Sequence, residues 1–288
     1  MPLVALRPSQ RLVDVVGALG GRWLGYVAMC RCPAHNDSTP SLSLRQGNRG
    51  ILVTCFAGCE PGDILRELRR VSPERRYEAP PVSSGNSTAN VARLWERGLA
   101  IEQGLALRYL TGRSLGIHSD LRFLARCPLG PRPFTVFKPA LLVAVREGRS
   151  LVALQRIFLD PMSAQYEAKV MLGRPGRGAW QGGIPKRELA LAEGFESAAA
   201  FQEYRSIPTW AALGARRLDQ IQIPPDVQTL ILAEDNDAEG RRAAERALDA
   251  YRRPGLQILR APPPLACKDW AQFLAQCRQK QQAIGASP

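Results

Sequence analysis

The stretch Leu230-Ile-Leu-Ala-Glu-Asp-Asn-Asp237 decides the fold, together with Leu189-Ala-Leu-Ala-Glu-Gly194 earlier in the chain. Each is a short apolar run that stops at acidic residues, which is typical of a buried parallel strand. Open α/β sheets bind ligands at the carboxyl ends of such strands, so both clusters are expected at one edge of a sheet. Residues 196–205 and 215–221 predict helices, and residues 209–213 predict a strand between them. That order returns the second cluster beside the first.

Three carboxylates, Glu193, Asp235 and Asp237, are candidate metal ligands and catalytic residues. Bringing Asp235 and Asp237 together without a cation costs about 3 to 4 kcal/mol at an effective dielectric near 20. Mg²⁺ fits best, with Mn²⁺ as the alternative, because Mg²⁺ takes few carboxylates and completes its shell with water and phosphate oxygens. In the other interpretation, Asp237 only caps a helix predicted over residues 238–251.

These residues resemble the Toprim domain shared by bacterial primases, topoisomerases, nucleases and recombination mediators. The family pattern places Glu-Gly after the first strand and Asp-x-Asp after a later one, here Glu193-Gly194 and Asp235-Asn-Asp237. Residues 238–244 resemble the helix that follows in primases. Residues 268–274, Lys-Asp-Trp-Ala-Gln-Phe-Leu, resemble the stretch that closes primase Toprim domains.

A second pattern joins Cys32-Pro-Ala-His35 to Cys55-Phe-Ala-Gly-Cys59. Two ligand pairs at one end of a hairpin, with strands predicted over residues 41–45 and 51–54, fit a tetrahedral Cys₃His zinc site. Gly58 absorbs the extra residue of Cys-x₃-Cys because glycine tolerates positive φ. A free thiol cluster or a disulfide is the alternative interpretation.

Residues 32–64 as a whole resemble the zinc finger that opens bacterial and phage primases. Cys30 could replace Cys32 as a ligand, although the Cys-x₂-His spacing favours Cys32. The resemblance implies a module that grips single-stranded DNA. Stacking and phosphate contacts there are expected from Phe56, Arg45 and Arg49.

Composition and charge narrow the class of protein. The 288 residues are enough for about two domains with cores of their own. A net charge of +13, from 39 Lys and Arg against 26 Asp and Glu, indicates a polyanionic partner, and a solvated basic surface is the alternative. No signal peptide, transmembrane span or P-loop motif is predicted, so we expect a cytoplasmic protein that does not bind membranes and has no fused helicase motor.

The predicted fold class is α/β: a Toprim Rossmann-like parallel sheet with a mixed α+β basic subdomain, plus a small N-terminal zinc-ribbon-like module. The predicted domains are a zinc module over residues 1–71, a flexible linker over 72–90, the basic subdomain over 91–184, the Toprim domain over 185–280 and a tail over 281–288. Outside the Toprim domain, helices are predicted over residues 9–19, 63–70, 90–103 and 105–110, and strands over 140–145 and 151–159.

In primases, the basic subdomain holds template and nucleotide phosphates. Arg156 resembles the arginine of a Gly-Arg step and Lys169 the lysine of a Lys-Tyr-x-Asn step in that family. Both lie on predicted strands among apolar residues, where burying a cation that has no partner costs free energy. The predicted nucleotide and template contacts are Arg156, Lys169, Arg146, Lys268 and Asp269.

The function implied by both resemblances is that of a DNA primase, a DNA-templated RNA polymerase that makes short RNA primers. Its partners would be single-stranded DNA, ribonucleoside triphosphates and possibly a replicative helicase in trans, and its size suggests the stand-alone primase of a plasmid, phage or conjugative element. Glu193 serves either as a metal ligand or as a general base. The alternatives are a Toprim nuclease and a non-catalytic zinc and Toprim accessory of replication or recombination. A type I topoisomerase needs a larger chain.

Overall fold

The computed structural model describes residues 7–24, 26–47, 50–78, 87–130 and 135–285. These residues fall into two compact units, one within residues 3–85 and the other within residues 86–288. Each unit has a hydrophobic core of its own. No helix in these ranges is long and apolar enough to cross a lipid bilayer.

The first unit packs two helices on one antiparallel sheet. The helices are α1 (Gln10–Ala18) and α2 (Pro61–Arg70). The strands follow chain order across the sheet: β1 (Arg22–Leu24), β2 (Val27–Cys30), β3 (Leu42–Gly47) and β4 (Gly50–Cys55). Ser9 accepts a hydrogen bond from the backbone N of Leu12 and so caps α1. Leu12, Leu42, Leu44 and Ile64 are fully buried and form the centre of the core.

The second unit begins with a mixed subdomain. Two helices precede its sheet, α3 (Ser87–Arg97) and α4 (Leu105–Gly112). The sheet is antiparallel, in the order β5 (Leu121–Leu129), β6 (Val136–Glu147), β7 (Ser150–Leu159) and β8 (Tyr166–Gly173). The strands predicted over residues 140–145 and 151–159 lie within β6 and β7, the central pair of this sheet. The flanking strands β5 and β8 were not predicted. The helix predicted over residues 90–103 ends at Arg97.

The same unit continues with an α/β sheet in the order β13, β12, β10, β11, β9. Its strands are β9 (Trp180–Gln181), β10 (Glu188–Ala192), β11 (Thr209–Ala211), β12 (Thr229–Ala233) and β13 (Gln257–Arg260). All neighbours are parallel except β9 and β11. Three helices surround the sheet: α5 (Phe195–Arg205), α6 (Ala238–Tyr251) and α7 (Trp270–Gly285). Residues 215–221, predicted as a helix, form only a short 3₁₀ turn over Ala215–Arg217.

Helix α5 lies between the two sheets of the second unit. Its side chains from Phe195 to Phe201 are all buried, in one core with Val143 and Ile157 of the mixed subdomain. Phe201 also meets Trp270 of α7 edge to face, with ring centroids 4.8 Å apart. One continuous core therefore fixes the mixed subdomain against the α/β sheet.

The flexible linker predicted over residues 72–90 is too long, because residues at one end pack against α1 and residues at the other end are helical. Tyr77 packs against α1, where a Cβ added to Gly17 would lie 2.2 Å from its ring. Its backbone N donates to Asp14 Oδ1 at 2.9 Å, and Gln10 Nε2 donates to its carbonyl oxygen at 2.9 Å. At the other end, residues 87–90 form the first turn of α3. Residues 79–86 of the predicted linker lie outside the described ranges.

Candidate active site and metal centre

The predicted acids lie at one edge of the α/β sheet. Strands β10 and β12 are parallel neighbours, with Ala192 opposite Ala233, so Glu193 and Asp235 both follow the same end of the sheet. Burial raises the pKa of Glu193, and the carboxylates of Glu239 and Asp237 raise it further. Negative charge therefore accumulates at this edge.

Asp235 is the most perturbed of the acids. Burial, followed by the carboxylates of Glu193 and Asp269, raises its pKa from 3.8 to about 7. Ser197 Oγ donates to Asp235 Oδ1 at 3.3 Å. The sequence did not single out Ser197, because Glu193 precedes α5 and the placement of that helix beside Asp235 brings the hydroxyl to the acids. A cation at this edge would remove the repulsion that disfavours the ionised form of Asp235.

The two carboxylate oxygens of Asp237 lie in different environments, one in a helix cap and one without a hydrogen bond from the described part of the chain. Its Oδ1 accepts from the backbone N of Glu239 at 3.0 Å and of Gly240 at 2.8 Å, so it caps α6 as the alternative interpretation predicted. Its Oδ2 accepts no hydrogen bond from any residue that the structure describes. Gly240 is required by a close approach, since a Cβ there would lie 2.4 Å from the Asp235 carbonyl oxygen. The cap therefore leaves one oxygen of Asp237 for a cation.

Lys268 and Asp269 lie at the same edge, just before α7. Lys268 lowers the pKa of Glu193, and Asp269 raises that of Asp235, so both are charged neighbours of the predicted acids. Asp269 Oδ1 accepts from the backbone N of Gln272 at 2.8 Å and caps α7. The edge thus carries five carboxylates and one lysine: Glu193, Asp235, Asp237, Glu239, Asp269 and Lys268.

The geometry at this edge suits an ion that keeps much of its water. Within the described ranges, no three of these acids bring ligand oxygens within 4.8 Å of one another. Mg²⁺ binds through one or two carboxylates and completes its shell with waters and phosphate oxygens, so it does not need three acids in direct contact. The donor set fits Mg²⁺ in this sense.

Glu234, which precedes Asp235, is excluded from the site. It is 3% exposed and accepts two hydrogen bonds from Arg260, Nε at 2.8 Å and Nη2 at 2.5 Å. This paired geometry joins β12 to β13. Of the acids in residues 234–237, only Asp235 and Asp237 are available to a ligand.

Lys169 is paired with a buried acid that sequence reasoning did not single out. Its Nζ lies 2.6 Å from Glu196 Oε1, and Tyr109 donates its hydroxyl proton to the same oxygen. Burial opposes ionisation of Glu196, but the charge and hydrogen bond of Lys169, together with the hydrogen bond from Tyr109, lower its pKa. Because Glu196 lies in the first turn of α5, this pair links strand β8 to the helix that follows Glu193.

Arg156 and Lys169 point to opposite faces of their sheet. Arg156 stands opposite Val170 in the register, while Lys169 stands opposite Ile157. The guanidinium of Arg156 is 8% exposed, donates from Nη1 to the carbonyl oxygen of Pro128 at 2.6 Å and has a buried Nε without a hydrogen-bond partner. The structure therefore does not bring these two predicted contacts together.

Arg146 is also engaged within the chain. Its Nε and Nη2 donate to the two carboxylate oxygens of Asp120 at 2.6 and 2.8 Å. Its Nη1 donates to the carbonyl oxygen of Arg149 at 3.0 Å. These contacts close the end of the β6–β7 hairpin.

The first unit brings the four predicted metal ligands together. Cys32, His35, Cys55 and Cys59 each offer one ligand atom, and all four atoms lie within 4.8 Å of one another. Burial opposes ionisation of Cys55, but hydrogen bonds from the backbone of Cys59 and Ala57 lower the pKa of its thiol to about 7. Thiolates and a neutral imidazole are the donors that Zn²⁺ takes in structural sites.

Asp37 organises the loop that carries the first two ligands. Its Oδ2 accepts from the backbone N of Cys32 at 2.7 Å and from Ser41 Oγ at 2.6 Å. Its Oδ1 lies 3.7 Å from His35 Nε2, while His35 Nδ1 faces Cys59 Sγ at 3.2 Å. A carboxylate behind the second nitrogen of a ligating histidine is common in metal sites, because it fixes the ring.

The structure also separates Cys30 from Cys32. Cys30 ends β2 and lies outside the group of four ligand atoms, which contains Cys32. Burial raises the pKa of both thiols to about 12, so their positions separate them and their titration does not. Of the predicted DNA contacts on this unit, Phe56 is 49% exposed and Arg45 is half-buried on β3. Arg49 lies outside the described ranges.

Comparisons with protein families identify one of the domains. Residues 188–279 match the model described as Toprim domain, so this part of the chain is a Toprim domain. Residues 85–182 match the model described as Domain of unknown function (DUF7146). The predicted α/β fold class is confirmed by the Toprim domain, and the four predicted Cys/His ligands lie together in the first unit.

Several solved structures of DNA primases are similar to this chain. A DNA primase domain from Pseudomonas aeruginosa is 16% identical with a TM-score of 0.47, over 69% of this chain and 78% of that one. The zinc-binding and RNA polymerase domains of the Aquifex aeolicus primase are 14% identical with a TM-score of 0.47, over 96% and 83%. The primase fragment of the bacteriophage T7 primase-helicase is 13% identical with a TM-score of 0.41, over 89% and 98%. A comparison with curated proteins finds no match.

Proposed function

We propose that the chain is a DNA primase that joins ribonucleotides into short RNA primers on single-stranded DNA. One observation carries the proposal: the register of β10 and β12 delivers Glu193 and the Asp235-Asn-Asp237 pair to one edge of a Toprim sheet. Carboxylates gathered at the carboxyl edge of a parallel sheet suit a divalent cation and a phosphate-bearing substrate.

The reaction is an in-line displacement at phosphorus. The 3′ oxygen of the growing primer forms a bond to the α-phosphorus of the incoming nucleotide, the bond to pyrophosphate breaks, and the hydroxyl proton leaves. When bound, Mg²⁺ or Mn²⁺ supplies charge for the phosphate oxygens. Asp235 and the Oδ2 of Asp237 would hold the ion. Glu193 would either complete the shell of the ion or accept the hydroxyl proton, and its raised pKa suits the second role.

The five predicted nucleotide and template contacts divide into two groups. Lys268 and Asp269 border the acidic edge, and we assign them to nucleotide and metal binding there. Lys169, Arg146 and Arg156 have partners within the chain, and we assign them to holding the mixed subdomain together. Lys169 and Arg146 each have a close carboxylate partner, and Arg156 is buried with its Nη1 on a backbone carbonyl, so all three are less available to a phosphate.

We assign Zn²⁺ to the Cys₃His group and template binding to the module that it stabilises. The donor set and the supporting Asp37 fit a structural zinc site. The exposed Phe56 offers a surface for a base to stack on, and the positive charge of the chain favours a polyanion. A cytoplasmic enzyme of a plasmid or phage, acting with a helicase in trans, is the setting we propose.

The test is a template-dependent synthesis assay with single-stranded DNA, MgCl₂ and labelled ribonucleotides. Asp235→Asn and Asp237→Asn are compared with wild type, and Asp249→Asn on the exposed side of α6 is the control. Asparagine caps helices as well as aspartate, so the Asp237 variant keeps its fold. We expect primers from wild type and control and none from the two site variants. Cleaved DNA would identify a nuclease instead, and tight DNA binding without product would identify an accessory protein.

A further inference from the structure

Asn236, between the two aspartates, contacts four carbonyl oxygens of a single loop. Its Nδ2 lies 2.8 Å from the carbonyl oxygen of Pro263, 2.8 Å from that of Cys267 and 3.1 Å from that of Pro264, so its two hydrogens are shared among three acceptors. Its backbone N donates to the carbonyl oxygen of Lys268 at 2.7 Å. The loop between β13 and α7 is therefore tied at four carbonyls to the edge that carries the acids.

The composition of the loop explains why an amide side chain is needed. Residues 262–264 are three consecutive prolines, which have no N–H to donate. The carbonyl oxygen of Pro264 accepts a hydrogen bond from the backbone N of Cys267 within the loop, so that of the buried Pro263 depends most on an outside donor. A buried carbonyl without a donor costs about 1 to 3 kcal/mol. Asparagine presents two N–H hydrogens at one atom, whereas aspartate only accepts and serine donates once. A third carboxylate at this position would also repel Asp235 and Asp237.

The loop delivers two charged residues to the site. Lys268 and Asp269 follow it directly, and both are charged neighbours of the predicted acids. The first turn of α7 fixes the same two residues from the other side, because the backbone N of Lys268 donates to Gln272 Oε1 at 2.7 Å and Asp269 Oδ1 caps the helix. Trp270 adds a further contact, since its Nε1 donates to the carbonyl oxygen of Ala261 at 2.9 Å. Asn236 is the side chain that joins this loop to the acidic edge itself.

We propose that Asn236 is a positioning residue that holds Lys268 and Asp269 at the acidic edge and thereby sets the affinity of that edge for a divalent cation. The inference rests on the proposed cation site but not on the reaction carried out there. Removing a partner that orients metal ligands typically lowers metal affinity by about 10- to 100-fold.

Titration of the zinc-loaded full chain with Mn²⁺, followed by electron paramagnetic resonance, tests the proposal. Asn236→Ala removes the side-chain donors, and Asn236→Asp removes them while adding a carboxylate. We expect both variants to bind Mn²⁺ about tenfold more weakly than wild type. Hydrogen exchange at the backbone amides of residues 265–270 should accelerate in both. Asn90→Asp on α3 is the matched control and should change neither measurement.

Asn236→Ser, which keeps one donor, should give an intermediate affinity. The proposal is overturned if both donor-free variants keep the wild-type affinity, or if Asn236→Asp binds Mn²⁺ more tightly without faster exchange in the loop. A lower melting temperature with unaltered Mn²⁺ affinity also overturns it, because a purely structural role predicts that result.

The outcome separates this inference from the proposed polymerase. If wild type makes no primers but binds Mn²⁺ and the Asn236 variants bind it weakly, the polymerase proposal fails and the positioning role stands. If wild type does not bind Mn²⁺ while it still makes primers, the positioning role fails and the polymerase stands.

Discussion

Replacing Asp235 by asparagine should make the metal-free protein more stable while it removes metal binding. Burial and the neighbouring carboxylates of Glu193 and Asp269 raise the pKa of Asp235 to about 7. A carboxyl whose pKa is higher in the folded chain than in the unfolded chain opposes folding when it is ionised. Asparagine has the same shape and no charge, so it removes this opposition.

The size of the effect follows from the two pKa values. The rise from 3.8 to about 7 spans about three pH units, which corresponds to about 4 kcal/mol as an upper value. Below pH 4 the group is protonated in both states and the penalty is absent. It grows as the pH rises from 4 to 7 and stays constant above 7. The stabilising effect of Asp235→Asn should therefore be large at pH 8 and small at pH 4.

Urea unfolding of the zinc-loaded protein in a buffer without Mg²⁺ and without a chelator measures this difference, with the fluorescence of the buried Trp180, Trp210 and Trp270 as the probe. Asp249→Asn is the control, because that carboxylate is 82% exposed. Adding MgCl₂ should raise the free energy of unfolding of wild type and leave that of Asp235→Asn unchanged. Equal stability of wild type and variant at pH 8, or a gain that is the same at pH 4, would refute the reasoning.

Two further changes test other parts of the molecule. Cys55→Ser should lose its zinc, measured by atomic absorption, and unfold the first unit, because structural zinc supplies about 10 to 16 kcal/mol in small modules. The control variant Cys277→Ser should keep the metal. Full zinc content in the Cys55 variant would contradict the ligand set. Lys169→Met should lower the free energy of unfolding by about 3 kcal/mol because it leaves Glu196 buried without its partner, and adding Glu196→Gln should restore most of it. A raised KM for nucleotide with unaltered stability would show instead that Lys169 binds substrate.

The acidic edge could be predicted from the sequence because its signals are local. Glu193 and Asp235 each follow a buried strand directly, and the order of strands and helices between them brings two parallel strands together. The Cys/His group could be predicted for a similar reason, since a hairpin with ligands at both ends brings its own termini together. Cys30 was a second candidate because it lies two residues before Cys32, but the Cys-x₂-His spacing favoured Cys32, which is the cysteine that the Cys/His group contains.

Features that depend on tertiary contacts could not be predicted. The buried residues of β5 are three apart and β8 has no fully buried residue, so neither strand shows the alternation that predicts a strand. The pairing of Lys169 with Glu196 joins residues 27 apart through the packing of α5 on the mixed subdomain. The opposite orientations of Arg156 and Lys169 depend on the register of β7 and β8, which a β-bulge shifts near Leu159.

The most direct test of the central claim is a crystal structure of the full chain soaked in MnCl₂, with the ion located by its anomalous scattering. The account predicts an ion at the carboxyl edge of β10 and β12, with oxygens of Asp235 and Asp237 about 2.1 to 2.2 Å away and Glu193 bound directly or through water. Carboxylates that point away from one another, or the amine of Lys268 in the place of the ion, would contradict it.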